Sequence, residues 1–302
     1  MKELPSGILP PLVTTFRKDC FDAKAYAANI QYFNTTSLAG YVVLGSNGES
    51  VYLSDIEAIE VVETAAAARE EDKTIIVGTG RESTKATIDF TKRSARAGAD
   101  AALVVPPSYY RSAMTESALE FHFRSVADAS DIPILLYHVP KFCPVSFEPK
   151  LVHSLSSHPN IVGMKDTSAD MVFLTTCLKE RSDGFKIYVG TANILLAGLV
   201  LGADGGVLAL ANIAPQECVS LYGMVERGEL EAARKVQYRL LPVNQAVTSR
   251  FGIAGLKLAI DSIGLQGGEA RRPIEPLSRN EEEELQAILR AGAIQSVTAE
   301  KN

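Results

Sequence analysis

Eight short apolar runs recur along the chain, each followed by a stretch with helical spacing. They lie at 7–16 (GILPPLVTTF), 40–46 (GYVVLGS), 74–80 (TIIVGTG) and 101–110 (AALVVPPSYY). The other four are 133–140 (PILLYHVP), 161–168 (IVGMKDTS), 186–193 (KIYVGTAN) and 205–212 (GGVLALAN). They are continuous rather than alternating and rich in Val, Ile and Leu, as parallel strands covered on both faces are. The clearest intervening segment is SDIEAIEVVETAAAARE, 54–70. There Ser54 and Glu57 predict a capping box, and Ile56, Ile59 and Val62 predict the apolar stripe. Pro215 suits the first turn of the helix after the eighth run. Eight strand–helix units in series predict an α/β fold, a closed (β/α)8 TIM barrel. A doubly wound open sheet is the rival, but its Gly-x-Gly-x-x-Gly turn is not found.

Residues 1–225 are thus predicted to form the barrel, and 226–302 a C-terminal helical extension packed on it within one structural unit. In that extension, the segment beginning ELEAARKVQYRLL reads as helices interrupted near Pro242 and Gly252. NEEEELQAILRAGA reads as one more helix, capped by Asn280. The last few residues are expected to fray.

Composition narrows the function. Hydrophobic residues make up 46% of the 302, enough for a large core. A net charge of -6 without a basic cluster argues against a nucleic-acid partner. The apolar stretch 194–213 is broken by Ala203-Asp204-Gly205-Gly206, so it reads as helix, turn and strand, and no membrane span is expected. The N-terminal segment lacks a long apolar run ending in a cleavage site. No signal peptide is expected, and the predicted location is cytoplasmic, with organelle import left open. Cys20, Cys143, Cys177 and Cys218 are far apart and read as free, mostly buried thiols. No His/carboxylate cluster has ligand spacing, so neither a metal nor another cofactor is expected.

Reactive groups in such barrels sit at the C-terminal ends of strands. Those ends here carry Gly45-Ser46-Asn47-Gly48-Glu49, Pro106-Pro107-Ser108-Tyr109-Tyr110, Tyr137-His138-Val139-Pro140, Lys165-Asp166 and Gly190-Thr191-Ala192. Lys165 is a lysine in an otherwise apolar strand. Burial favours the neutral amine, which attacks a ketone to form an imine that then serves as an electron sink. Tyrosine and serine hydroxyls in a chain supply the proton shuttle, and N–H groups of a glycine-containing turn such as 45–48 supply donors for a 2-oxo acid's carboxylate. Taken singly, each piece has a plainer reading. Lys165 fits a surface lysine, Tyr137 a satisfied core tyrosine and 45–49 an ordinary turn. His138 fits a loop or pocket-wall residue better than a metal ligand. Their coincidence on one barrel face favours chemistry.

The order GSNGE, PPSYY, YHVP, GMKD resembles the dihydrodipicolinate synthase/N-acetylneuraminate lyase family, Schiff-base pyruvate aldolases on a TIM barrel. The resemblance runs from about residue 7 to the tail helices. It implies Lys165 as the Schiff-base lysine and Tyr137 as the proton relay at the substrate oxygen. Ser46 stands where the family usually has the first threonine of Gly-Thr-Thr-Gly-Glu and keeps the hydroxyl. Asn47 replaces the second threonine, leaving its backbone N–H and amide, with Gly48, to bind carboxylate. Tyr109 matches a tyrosine lent by a neighbouring subunit, with Tyr110 as the fallback, so the resemblance implies a homo-oligomer, dimer or tetramer. Gly190 and Val207 fall where the family lines the pyruvate pocket. In dihydrodipicolinate synthases an arginine that holds the second substrate's carboxylate stands where this chain has Phe142, preceded by Lys141. Together with Ser-Tyr-Tyr-Arg, HPNIVGMKD and AVTSRFGIAGLK, this resembles the 4-hydroxy-2-oxoglutarate aldolase branch most. The expected activity is cleavage of a 4-hydroxy-2-oxo acid to pyruvate or glyoxylate, with a small 2-oxo acid as the partner. The alternatives are condensation of pyruvate with aspartate semialdehyde, a 2-keto-3-deoxy sugar-acid aldolase, and a non-enzymatic 2-oxo acid sensor.

Overall fold

A computed structural model describes residues 4–297; the expected fraying of the final residues lies outside them. The eight apolar runs form eight strands: β1 (Gly7–Leu9), β2 (Gly40–Val43), β3 (Thr74–Gly78), β4 (Ala101–Val104), β5 (Ile134–His138), β6 (Ile161–Asp166), β7 (Lys186–Val189) and β8 (Gly205–Val207). From β2 to β8 each strand pairs in parallel with the next, and β8 pairs in parallel with β1. The seam between β1 and β2 is closed just beyond β1. Pro11 bridges Val42 in parallel, Leu12 N–H donates to the Val42 carbonyl (2.9 Å), and Val42 N–H donates to the Pro10 carbonyl (3.0 Å). The chain is therefore a (β/α)8 barrel, and the open-sheet alternative is excluded.

The run 7–16 does not form one strand. Pro10 and Pro11 have no N–H to continue a ladder, and Phe16–Arg17 instead pairs antiparallel with Cys20–Phe21 in a small ribbon beside the barrel.

The helices following the strands are α1 (Ala23–Asn34), α2 (Asp55–Ala68), α3 (Thr84–Arg96), α4 (Glu116–Ala129), α5 (Pro149–Ser156), α6 (Met171–Glu180), α7 (Leu195–Val200) and α8 (Pro215–Glu226). The capping box of α2 is formed by Ser54 and Glu57. Its buried face overlaps the expected stripe in part: Val62 is buried with Ala58, Val61 and Ala65, and Ile59 is half-buried against the core, whereas Ile56 is 80% exposed. At about 100° per residue Ile56 lies on the opposite side of the helix from Ala65, so burial of the face holding Ala58, Val61 and Ala65 leaves it outside.

The extension comprises α9 (Leu230–Gln245), α10 (Gly252–Ser262) and α11 (Arg279–Ala291). Contrary to expectation, α9 runs through Pro242. Pro242 lies on the exposed face, so the carbonyl left without its N–H donor is open to water. The interruption comes later, in a π-helical turn at Ala246–Arg250. The cap of α11 is Ser278 with Glu281, not Asn280. Leu240, Val243, Leu256, Ile260 and Leu285 share one apolar cluster with Ile8, Tyr41 and Val61. The extension thus buries its faces against the barrel's helical layer. Among the described residues no helix is long and apolar enough to cross a membrane.

Candidate active site

The ends of β5 and β6 place the central pair. Ile134 pairs with Ile161, but Leu135 pairs with Gly163, so one residue is inserted at this point in β6. Such a bulge shifts register by one and exchanges the two faces of everything beyond it. Tyr137 therefore lies opposite Lys165, and His138 opposite Asp166. Gly163 makes this possible, because a Cβ there would sit 2.6 Å from the Lys186 carbonyl oxygen of β7.

Lys165 is 4% exposed and Tyr137 6%. Lys165 Nζ donates to Tyr137 Oη (3.3 Å), and Tyr137 Oη is 3.3 Å from Ser46 Oγ. The Nζ also lies 4.4 Å from the centroid of the tyrosine ring. Three of the expected catalytic residues thus form one connected chain of polar atoms. Among the described residues Lys165 has no carboxylate partner. The adjacent Asp166 carboxylate is taken up by His138 Nδ1 (2.8 Å) and by the N–H and hydroxyl of Ser168 (3.0 and 2.9 Å).

Above this chain opens a cavity of about 610 Å³, whose walls include Ser46, Tyr137, Val105, Val139, Phe142 and Ile253. Its size suits a small organic ligand. Cys143 also lines it, and burial pushes that thiol above its ordinary range, which keeps it protonated and poorly nucleophilic.

Ser46–Gly48 forms a single 3-10 turn ended by Glu49 in the left-handed region (φ 53°). The leading N–H groups of such a turn have no acceptor within it, which leaves those of Ser46 and Asn47 to a ligand. Gly48 differs from expectation. Its N–H donates to the Gly45 carbonyl (3.0 Å) and its carbonyl accepts from Thr14 Oγ1 (2.7 Å), so both of its backbone groups are already engaged.

The remaining predicted residues are more dispersed. Gly190 abuts β6: a Cβ there would lie 2.5 Å from Thr167 Oγ1 and 2.8 Å from the Asp166 carbonyl, so only glycine allows the approach. Val207 is buried among the apolar side chains of the barrel with Leu9 and Val42. Phe142 stands at the cavity rim, 59% exposed. Tyr109 and Tyr110 are 80% and 73% exposed, ring against ring at 5.1 Å, and within one chain they do not join the relay. The Ser108 and Tyr109 N–H groups both donate to Glu82 Oε2 (2.9 Å each), which fixes the turn that displays them.

Glu49 is the residue whose part the motif alone did not disclose. It is 2% exposed and pairs with Lys257 Nζ of α10 (2.5 Å), itself 1% exposed, and it accepts from the Arg271 N–H (2.8 Å). The signal was present: Lys257 sits in an apolar run, GIAGLKLAI, as Lys165 does. A larger cleft of about 800 Å³ lies beside the ribbon and is lined by Lys257, Arg271, Asp19 and Glu57 among others. These groups are engaged in ion pairs, Arg271 with Asp19 and Glu57, and Lys257 with Glu49. Among the described residues no group of three or more His, Cys, Asp or Glu is placed to hold a metal ion.

Comparison with known proteins agrees with this arrangement. The profile of the dihydrodipicolinate synthetase family matches residues 4–292. A 4-hydroxy-tetrahydrodipicolinate synthase from Methanothrix thermoacetophila is 34% identical over 285 residues, 94% of this chain and 95% of the relative. A probable mitochondrial 4-hydroxy-2-oxoglutarate aldolase from Emericella nidulans is 34% identical over 278 residues, 90% of each chain. The crystal structure of an E. coli K12 prophage protein of the dihydrodipicolinic acid synthase family, in complex with pyruvate, superposes with a TM-score of 0.90 at 28% identity, covering 96% of this chain and 99% of that one. The chain belongs to the dihydrodipicolinate synthetase family, and with it to the carbon–carbon lyases.

Proposed function

We propose that this protein is a Schiff-base aldolase that cleaves a 4-hydroxy-2-oxo acid, with 4-hydroxy-2-oxoglutarate as the leading substrate. The observation that carries this reading is Lys165: buried, without a carboxylate partner, and hydrogen-bonded into a tyrosine–serine chain below a cavity. The neutral amine attacks C2 of the substrate, and loss of water gives an iminium. Tyr137, backed by Ser46, takes the proton of the C4 hydroxyl as the C3–C4 bond breaks. The bonding electrons pass into the iminium as an enamine, and an aldehyde leaves, glyoxylate for the leading substrate. Protonation of the enamine at C3 and addition of water return pyruvate and free Lys165. The Ser46 and Asn47 N–H groups hold the C1 carboxylate, and Tyr109 of a neighbouring subunit completes the relay. Every step uses the chain's own groups, so chelator treatment should leave turnover unchanged.

The second reading, condensation of pyruvate with aspartate semialdehyde, draws support from the synthase names of relatives such as the Methanothrix protein. Against it, a second carboxylate is best held by an arginine fork. Phe142 offers no cation, and Lys141, whose Nζ donates to the Thr248 carbonyl (3.1 Å), supplies a point charge on a flexible stem and not a fork. A substrate panel on one preparation, read by release of pyruvate or glyoxylate, tests the choice. Condensation is expected to show a kcat/KM at least about tenfold lower, equivalent to ~1.4 kcal/mol of transition-state binding. If condensation is the faster reaction, the synthase reading replaces this one. Borohydride with pyruvate should trap one adduct on Lys165, located by peptide mapping; trapping elsewhere, or none, defeats the imine.

A further inference from the structure

We infer that the buried His138–Asp166 pair is a positioning device that holds Tyr137 and Lys165 in register for imine formation. This rests on the Schiff-base reading above.

Successive residues of a strand point to opposite faces. Tyr137 faces the cavity, and Lys165, opposite it in register, is hydrogen-bonded to its hydroxyl. Their next neighbours, His138 and Asp166, are turned to the helical layer, where the His138 ring packs on Phe173 of α6 (centroids 4.6 Å) and on Phe147 (5.5 Å). The two side chains are 4% and 1% exposed and meet at 2.8 Å. Hydrogen bonds to an ionised group in a dry site are short and strong.

The pair sits at the last point where β5 and β6 run together. Beyond it the chain turns through Val139 and Pro140, and the strand ladder ends with Thr167 N–H on the His138 carbonyl (2.9 Å). Asp166 also anchors the start of the next loop through Ser168. Its carbonyl accepts the N–H of Gly190, the residue just beyond β7 (2.6 Å), which ties three strand ends together. A family fold needs some closure here, but ordinary packing residues would supply it. A buried imidazole and carboxylate are costly unless paired with each other. His138 Nε2 adds to this, for it is buried and has no hydrogen-bond partner among the described residues. The ring is thus held by one polar contact, Nδ1 to Asp166, and its orientation is set by that contact and the two phenylalanines. The consequence falls on the other face: the 3.3 Å separations between Lys165 Nζ, Tyr137 Oη and Ser46 Oγ depend on the two strand ends staying in register.

The test is the rate at which borohydride traps pyruvate on Lys165, measured alongside KM and kcat for cleavage. His138→Leu removes the donor, and His138→Asn restores one close to the Nδ1 position. His138→Leu is expected to fold, as judged by circular dichroism, and to trap about tenfold or more slowly, since small misplacement of reacting groups costs up to about 10²-fold. Its KM should move less than about threefold, because the loss falls on the chemical step. His138→Asn should recover trapping to within about threefold of wild type. Should His138→Leu fail to fold, His138→Gln, whose amide sits near Nε2 instead, must be slow where His138→Asn is fast. A folded His138→Leu that traps at the wild-type rate overturns the inference, as does a His138→Asn no better than His138→Leu or His138→Gln. Wild-type protein that traps no pyruvate at all defeats the Schiff-base reading instead, so the two failures are distinct.

Discussion

Two lysines in this chain stand in apolar runs, and their surroundings give them opposite fates. Lys257 Nζ meets Glu49 at 2.5 Å and donates to the Glu269 carbonyl (2.6 Å), so its charge is matched where it is buried. Among the described residues the polar contacts of Lys165 Nζ are the Tyr137 hydroxyl and ring. Lys257 has its nitrogen tied to a carboxylate and a carbonyl, whereas Lys165 Nζ is directed into the Tyr137–Ser46 chain, where an amine can meet a carbonyl. Tyr137 is the residue on which that difference turns. Tyr137→Phe removes one hydroxyl from a side chain that is otherwise packed, so the fold should persist. Loss of a general acid–base group typically costs about 10²–10⁴-fold. Steady-state turnover of Tyr137→Phe should fall within that range, and adduct formation with pyruvate should slow as well. Unchanged turnover would return Tyr137 to a purely structural role.

At the scale of elements, the turn after β2 is held from behind by the extension. Glu49 closes that turn in a left-handed conformation and reaches Lys257 of α10 and the backbone of Arg271. Removing one partner of a buried ion pair strands the other charge and costs about 3–5 kcal/mol. Lys257→Met should therefore lower the urea midpoint by that equivalent, and Ser46, three residues from Glu49, should lose its place near Tyr137. Slower pyruvate trapping in folded Lys257→Met protein would show the connection; unaltered stability would show that Glu49 finds water instead. A second link ties α2 to the loop before α11. Arg271 beside Glu57, helped by the Ser54 N–H, holds the Glu57 carboxyl down at about 2. The unfolded chain binds that proton more readily than the folded one, so stability rises with pH through this window. The contribution is present above the ordinary carboxylate value near 4.5 and is lost as the pH falls toward 2. Glu57→Gln should flatten the acid limb of thermal stability between those values. An acid limb identical to wild type would show that the Arg271 contact is screened by solvent.

Over the whole molecule, Tyr109 and Tyr110 stand out as large rings left mostly exposed on a turn that Glu82 holds rigid. Two such rings displayed beside a cavity mouth mark an interaction surface. We propose that a second copy of the chain covers them and receives Tyr109 into its relay. Tyr109→Phe should then reduce turnover by about 10²-fold or more, as loss of a proton-relay group does, while sedimentation shows the oligomer intact. Full activity in a species that sediments as a monomer under assay conditions would remove the borrowed tyrosine.

Most of the architecture was legible in the sequence because its causes are local. Continuous Val, Ile and Leu runs mark strands covered on both faces, and capping residues and prolines mark helix starts. Eight repeats of the unit leave a closed barrel as the natural arrangement. The strand-end motifs are local too, so Lys165 stood out at the end of an apolar run, while the parts of Ser46 and Tyr137 were implied by the family resemblance. Where local pattern misled, the setting in space prevailed: solvent on one face let α9 pass Pro242, and α2 buries the face of Ala58, Val61 and Ala65 and leaves Ile56 outside. The register of β5 against β6 was beyond the sequence altogether. It hangs on one inserted residue ahead of Gly163, tolerated because β7 passes where a side chain would have been. Nor does the chain's order say that Lys257 finds a carboxylate 208 positions earlier while Lys165 finds none among the described residues. Pattern along the chain determined what kinds of groups reach the barrel mouth; contacts between distant segments decided which of them are neutralised and which remain free to react.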